Sequence, residues 1–77
     1  MQFRITYCVQ WNYEPMAVSL AEKLEQSFQS TVDLVKGSNG IFDVQKGDKL
    51  VYSKKITGEF PDEEKLIGEL KSAHSMG

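Results

Sequence analysis

Residues Gln2 to Phe28 read QFRITYCVQWNYEPMAVSLAEKLEQSF, and the period of their apolar side chains changes partway along. From Gln2 to Tyr7 apolar and polar residues alternate, which predicts a strand with one buried face. From Met16 onward the apolar residues recur at steps of three and four, which predicts an amphipathic helix. Pro15 has no amide hydrogen and fits the first turn of a helix, so we expect the helix to begin between Glu14 and Met16.

Three further strands follow this helix. Residues Thr31 to Val35 are β-branched and apolar and run into the turn sequence Lys36-Gly37-Ser38-Asn39-Gly40, so they predict the second strand. Residues Ile41 to Gln45 and Leu50 to Lys54 flank Lys46-Gly47-Asp48, which predicts an antiparallel hairpin with its glycine in the turn. The strand, helix, strand order at the start of the chain indicates a parallel pair with a right-handed crossover.

A second helix is predicted from Pro61, where the following acidic residues face the positive end of the helix dipole. Its buried stripe is predicted to be Leu66, Ile67, Leu70 and Ala73. The order of elements is therefore β-α-β-β-β-α. We expect an α/β fold of two layers, a mixed four-stranded sheet with both helices on one face, which is the minimal thioredoxin-like arrangement.

Length and composition limit the classes of protein to consider. A chain of 77 residues has room for one core, so residues 1–77 are expected to form a single domain. Nine basic and eleven acidic residues give a net charge of -2, which argues against binding to nucleic acid. No apolar run is long enough for a membrane span or a secretory signal. With one cysteine and one histidine, neither a disulfide within the chain nor a metal site is expected, and we expect a cytoplasmic protein with no cofactor.

Cys8 is the first candidate for a reactive group. It lies just past the predicted first strand, in a loop that leads to the N-terminus of a helix, where the helix dipole and free amides stabilise a thiolate. We therefore expect its thiol to be partly exposed and to react with iodoacetamide in the native protein. The alternative is that Cys8 is a small buried hydrophobic residue, as free cysteines often are.

The chain resembles the selenoprotein W family of small thioredoxin-like proteins. The resemblance rests on Tyr7-Cys8-x-x-Trp11-x-Tyr13-x-Pro15 after the first strand, and on three later segments that occur in the family's order. These segments are Gly37-Ser38-Asn39-Gly40-Ile41-Phe42-Asp43-Val44, Leu50-Val51-Tyr52-Ser53-Lys54-Lys55 and Gly58-Glu59-Phe60-Pro61. The family's loop carries Cys-x-x-Sec or Cys-x-x-Cys, which implies that Cys8 is one redox partner and that position 11 holds the other.

Trp11 departs from this family pattern, because tryptophan cannot form the internal disulfide or selenenylsulfide that the resemblance implies. One explanation is that Trp11 stands where the natural protein carries selenocysteine, since UGA and the tryptophan codon UGG differ by one base. The other is a natural variant that kept the fold and lost two-thiol exchange. The sequence shows no packing partner for an indole in this loop, which favours the first explanation, although an aromatic residue at the edge of the core remains an alternative.

The resemblance implies a thiol or selenol redox protein with glutathione or a protein thiol as partner. Lys54-Lys55 would attract an anionic partner such as glutathione, although lysines at a sheet edge more often keep that edge solvated. An alternative function is a non-catalytic module that binds a partner protein through an exposed Trp11. Reading the natural codon at position 11 discriminates between the two, because UGA favours redox chemistry and UGG with an unreactive Cys8 favours binding.

Overall fold

The computed structural model describes residues 2–76, and it describes the side chains of residues 2–72. The chain forms, in order, β1 (Gln2–Cys8), α1 (Glu14–Phe28), β2 (Thr31–Gly37), β3 (Phe42–Lys46), β4 (Lys49–Ser53), α2 (Lys54–Thr57) and α3 (Glu63–Met76). None of the helices within the described range is long and apolar enough to cross a membrane.

The four strands form one mixed sheet in the order β2-β1-β3-β4. β1 is parallel to β2 and antiparallel to β3, and β3 is antiparallel to β4 with an irregularity between Val44 and Gln45. The predicted mixed sheet, parallel pair and hairpin are therefore confirmed. Because β1 has a strand on each side, whatever it carries at its C-terminal end lies in the middle of the sheet.

Both long helices pack on one face of the sheet. On β1 this face carries Phe3, Ile5 and Tyr7, all buried, whereas Gln2 and Arg4 on the other face are exposed. The helices contribute seven further buried apolar residues: Ala17, Leu20, Ala21, Leu24, Leu66, Ile67 and Leu70. The predicted apolar stripes are confirmed for these residues, and the side chain of Ala73 lies outside the described part of the chain. Burial of these side chains is the main free-energy term that holds the helices on the sheet.

Each strand has a boundary that differs from the sequence prediction by one or two residues, and β3 spans Phe42–Lys46 where Ile41 to Gln45 was expected. β1 continues to Cys8 and β2 to Gly37, because these two residues pair with each other at the end of the parallel ladder. β4 ends at Ser53, and Lys54–Thr57 forms a one-turn helix that the sequence pattern had assigned partly to the strand. Gly58 ends this turn with a φ of 84°, a conformation that glycine adopts without strain.

The start of the last helix is also displaced from the prediction. α3 begins at Glu63 rather than at Pro61. The reason is Asp62, whose side-chain oxygen Oδ1 accepts a hydrogen bond of 3.2 Å from the backbone amide of Lys65. An aspartate that caps the first free amides is a strong helix start, so the cap sets the boundary and proline remains in the preceding loop.

Candidate functional site

A tight loop joins the end of β1 to the start of α1 and carries the two candidate redox positions. Within it the amide of Asn12 donates to the carbonyl of Val9 over 3.1 Å, and the amide of Tyr13 donates to the carbonyl of Cys8 over 3.1 Å. Asn12 has a φ of 58°, a left-handed conformation that asparagine tolerates. These hydrogen bonds hold the backbone between positions 8 and 11 in one conformation.

Cys8 is fully buried, and the expectation that its thiol is partly exposed is wrong. Its amide donates to the carbonyl of Ile41 over 2.8 Å, and it stands opposite Gly37 in β2. The physical reason is the position of β1 in the centre of the sheet, which puts neighbouring backbone on both sides of Cys8. The thiol therefore reaches a reagent only when this end of the sheet opens.

Trp11 lies on the surface with 60% of its area exposed, but it does have packing partners, contrary to the expectation from the sequence. Its six-membered ring covers the backbone of Gly40, where a Cβ atom would overlap the indole. Its ring also meets Tyr13 edge to face, with 6.0 Å between the ring centroids. Gly40 has a φ of 73°, so both its conformation and the contact with Trp11 require glycine.

An aromatic stack, formed by Tyr13, Phe42 and Phe60, packs beneath the loop on its core side. Tyr13 meets Phe60 edge to face at 4.6 Å between centroids, and Phe42 meets Phe60 at 5.3 Å. Edge-to-face rings at these distances stabilise one another beyond their buried area. The three rings come from the loop, from β3 and from the segment before α3, so the stack joins parts of the chain that are far apart in sequence.

Lys54 is a site residue whose position the sequence did not reveal. Its ammonium group lies 5.7 Å from the centre of the Tyr13 ring and 5.2 Å from that of Phe60, within the range of cation–π attraction. The Ser53-Lys54-Lys55 segment signalled a charged position, but only the tertiary structure brings one of its lysines beside the loop. Lys55 is exposed.

A small polar network holds the segment that carries Phe60. The hydroxyl of Tyr52 donates to the carbonyl of Glu59 over 2.7 Å and lies 2.8 Å from the hydroxyl of Thr57. The Thr57 hydroxyl in turn lies 3.1 Å from the carbonyl of Ser53, one turn earlier. These contacts fix α2 relative to β4 and thereby position Lys54 and Phe60 against Tyr13.

Gly37 allows side chains to pack closely at the end of the sheet where Cys8 lies. A Cβ atom at Gly37 would lie 2.6 Å from Cγ2 of Ile41 and 3.0 Å from Cγ2 of Thr6. Its carbonyl also accepts a hydrogen bond of 3.3 Å from the amide of Val9, the first residue of the loop. Gly37, assigned from the sequence to a turn, is therefore the point where β2 closes on the loop.

Tyr7 is buried directly before Cys8, and its phenol donates to Oε2 of Glu14 over 3.3 Å. Burial raises the pKa of the Tyr7 phenol, and the charge of Glu14 and the hydrogen bond to it raise this pKa further. The contact joins the end of β1 to the first turn of α1, across the base of the loop.

We expect one tyrosine of the native protein to ionise at a higher pH than free tyrosine. In a pH titration, the phenolate absorbance of Tyr7 near 295 nm should rise at a higher pH than that of free tyrosine. The E14Q variant should bring the pKa of Tyr7 back toward its ordinary value, because the negative charge that repels the phenolate is gone. The Y7F variant is the control, since the delayed component should be absent from it. A delayed component that persists in Y7F would contradict the assignment.

The described side chains include no group of three or more His, Cys, Asp or Glu residues that could hold a metal ion. The chemistry available at the loop is that of one buried thiol, one exposed position three residues further on, a neighbouring cation and an aromatic support. The buried thiol and the exposed position therefore belong to one loop and differ in their access to solvent.

Comparison with known proteins gives consistent matches along the chain. The profile of the Rdx family matches residues 2–72. Selenoprotein W of Mus musculus is 36% identical to this chain and is aligned over 91% of this chain and 89% of that protein. Selenoprotein W of Macaca mulatta is 30% identical over 96% of this chain and 94% of that protein.

Two solved structures have the same fold. A protein from Bordetella parapertussis superposes with a TM-score of 0.86 at 24% identity, over 94% of this chain and 95% of that chain. A selenoprotein W-related protein from Vibrio cholerae superposes with a TM-score of 0.80 at 24% identity, over 90% of this chain and 94% of that chain. The β-α-β-β-β-α core predicted from the sequence is thus a fold that proteins of low identity share.

Proposed function

Since the chain belongs to the Rdx family together with selenoprotein W, we propose that it is a thiol or selenol redox protein whose reactive group in the active form stands at position 11. The observation that carries this proposal is the difference in exposure within one loop. The side chain at position 11 is 60% exposed, whereas Cys8 is 0% exposed. The exposed position is the one that a substrate can reach, so position 11 attacks and Cys8 resolves.

The proposed exchange runs in two steps. A thiolate or selenolate at position 11 attacks one sulfur of a substrate disulfide, forms a mixed bond and releases the first substrate thiolate. The Cys8 thiolate then attacks the atom at position 11, which closes a bond between positions 8 and 11 and releases the second substrate thiolate. Two electrons pass from the protein to the substrate, and the two released thiolates take up protons from solvent.

The surroundings of position 11 support the attacking role. It lies three residues before α1 begins at Glu14, near the positive end of the helix dipole. The ammonium group of Lys54 lies 5.7 Å from the Tyr13 ring, and that ring contacts residue 11. The helix dipole favours an anion at position 11, and Lys54 adds a positive charge beside the neighbouring Tyr13 ring.

Trp11 itself cannot take part in this exchange, so we propose that it stands in place of selenocysteine or cysteine. The chain with Trp11 keeps the loop and loses the internal bond. We propose glutathione or a protein thiol as the reductant of the active form. Because Cys8 is buried, we propose that a mixed disulfide with glutathione forms at position 11 and not at Cys8.

The W11C variant tests this function. We expect the thiol of Cys8 and the new thiol at position 11 to close an internal disulfide without loss of folding, because the hydrogen-bonded loop already holds the two positions together. A redox titration followed by intact mass and thiol count should give a potential between about -270 and -120 mV, the range of thioredoxin-like oxidoreductases. The oxidised form should return to two thiols with dithiothreitol or glutathione.

Two matched variants control the result. N12C places the new thiol one residue further along, on the left-handed residue of the same loop, and is expected to form mainly adducts or disulfides between chains. W11C combined with C8S should form a glutathione adduct and no internal bond. If W11C stays reduced under conditions that oxidise thioredoxin, or cross-links only between chains, the redox function is rejected.

A second function has one observation in its favour. The Trp11 indole exposes 60% of its surface beside Val9, which is 48% exposed. An exposed tryptophan with an apolar neighbour is typical of an anchor at a protein interface. This binding function takes precedence if W11C fails to form its internal disulfide, or if the natural codon at position 11 is UGG and Cys8 is unreactive.

A further inference from the structure

Charge is unevenly distributed along the chain. Residues 46–57 contain four of the nine basic residues and one of the eleven acidic residues, so this segment carries +3 while the rest of the chain carries -5. The four lysines are Lys46, Lys49, Lys54 and Lys55. Lys46 precedes β4, Lys49 is its first residue, and Lys54 and Lys55 follow it. Lys49 and Lys55 are exposed. A local field of this sign in an acidic protein attracts an anionic partner to one place.

The same segment forms an open edge of the sheet. β4 is the last strand in the order β2-β1-β3-β4, and no strand within residues 2–76 pairs with its outer side. An open edge offers backbone donors and acceptors to an extended peptide. Lysines on such an edge oppose pairing with a second β4, because like charges would meet. They leave the edge available to a strand that carries acidic residues.

A shallow apolar pocket lies between β4 and α2. It has a volume of about 190 Å³ and is lined by Leu50, Val51, Tyr52, Ser53, Ile56 and Thr57. Leu50 is 42% exposed and Ile56 is 78% exposed. Cavities of about 150 Å³ bind a molecule the size of benzene, so this pocket has room for one aliphatic side chain. No part of the redox proposal accounts for an isoleucine that is so exposed.

We propose that β4, α2 and the pocket between them bind an extended acidic peptide of a partner protein. One aliphatic side chain of the peptide occupies the pocket between Leu50 and Ile56. Acidic residues on either side of it pair with Lys49 at one end and with Lys55 at the other. The peptide backbone runs along the open edge of β4. This proposal does not depend on position 11 and needs no redox reaction.

An NMR titration of the Trp11 chain with synthetic peptides tests the proposal. The probe is a short acetylated peptide in which glutamate alternates with leucine, and a lysine–leucine peptide of equal length is its control. We expect the acidic probe to give weak, saturable shifts confined to the amides of residues 46–57, and these shifts should weaken as salt is added. The lysine–leucine peptide should give none.

Variants separate the charge from the pocket. K49E combined with K55E should weaken binding of the acidic peptide at least about tenfold, since it turns two attractive pairs into repulsive ones. I56S should weaken binding by a similar factor by removing one wall of the pocket, and Ile56 is too exposed for this change to threaten the fold. The matched controls K36E and L34S change an exposed lysine and an exposed leucine on β2, the opposite edge. Both should bind as the parent does.

Four outcomes would overturn the proposal. One is the absence of saturable shifts with the acidic peptide. Another is equal binding of the acidic and basic peptides, which would mean that charge does not select the partner. The third is binding that K36E weakens as much as the reversed lysines do. Tighter association with vesicles of anionic lipid than with the peptide would assign the patch to a membrane surface and also reject the proposal.

Discussion

Native protein is expected to react with iodoacetamide at Cys8 about a thousandfold more slowly than the denatured chain does. The reason is the burial of Cys8, which is 0% exposed at the end of the central strand β1. Alkylation then requires opening of the loop or of the whole fold, and each 1.4 kcal/mol of opening free energy slows it about tenfold. The measurement is the alkylation rate at fixed reagent concentration, followed by intact mass.

The variant W11C combined with C8S is the matched control for accessibility. Its single thiol sits at the position that is 60% exposed with tryptophan, so it should react at nearly the rate of the denatured chain. Low concentrations of urea distinguish local from global opening, since only global opening accelerates with denaturant. A native rate at Cys8 within about tenfold of the denatured rate would contradict the division into an attacking position 11 and a resolving Cys8.

Replacement of Phe42 by alanine is expected to lower the free energy of unfolding by about 3–5 kcal/mol. Phe42 is 1% exposed, stands opposite Tyr7 in the sheet and contacts both Phe60 and Tyr13. A domain of this size has a total stability of about 4–12 kcal/mol, so the variant should be unfolded or close to it. Chemical denaturation followed by circular dichroism measures the effect.

The control for Phe42 is I56A. Ile56 is 78% exposed, so its truncation should change stability by less than about 0.5 kcal/mol. F42L, which keeps the position apolar, should retain the fold and lose part of the edge-to-face contacts below the loop. If F42A loses less than about 1 kcal/mol, well under the usual cost of removing a buried phenylalanine, the aromatic stack is not a principal support of the loop.

Several features of this protein followed from local patterns in the sequence. Period-two alternation predicted β1, and steps of three and four from Met16 onward predicted α1, because each pattern reports directly which face of an element is buried. The turn at Gly47 predicted the hairpin, since glycine there adopts a φ of 60°. These patterns are local, so they predict an element without knowledge of the surface that it packs against.

The resemblance to selenoprotein W was also carried by the sequence, through short motifs in a fixed order, and the Rdx family match confirms it. The roles of Cys8 and position 11 stay predictions. The sequence predicts a partly exposed Cys8 in the loop before a helix, whereas Cys8 is the buried last residue of β1. Its pairing with Gly37 at the end of the parallel ladder depends on a residue 29 positions away, and no local pattern reports that distance.

The sequence by itself determined the order of the four strands and the two long helices, the apolar faces and the position of the loop between β1 and α1, because these depend on the spacing of neighbouring residues. Only the tertiary structure decided which end of that loop is accessible. Burial of Cys8, the seat of Trp11 on Gly40 and the approach of Lys54 to Tyr13 all join segments separated in the chain. Such contacts depend on how strands and helices pack against one another. Local sequence patterns do not report this packing, so the contacts could not be predicted from the sequence.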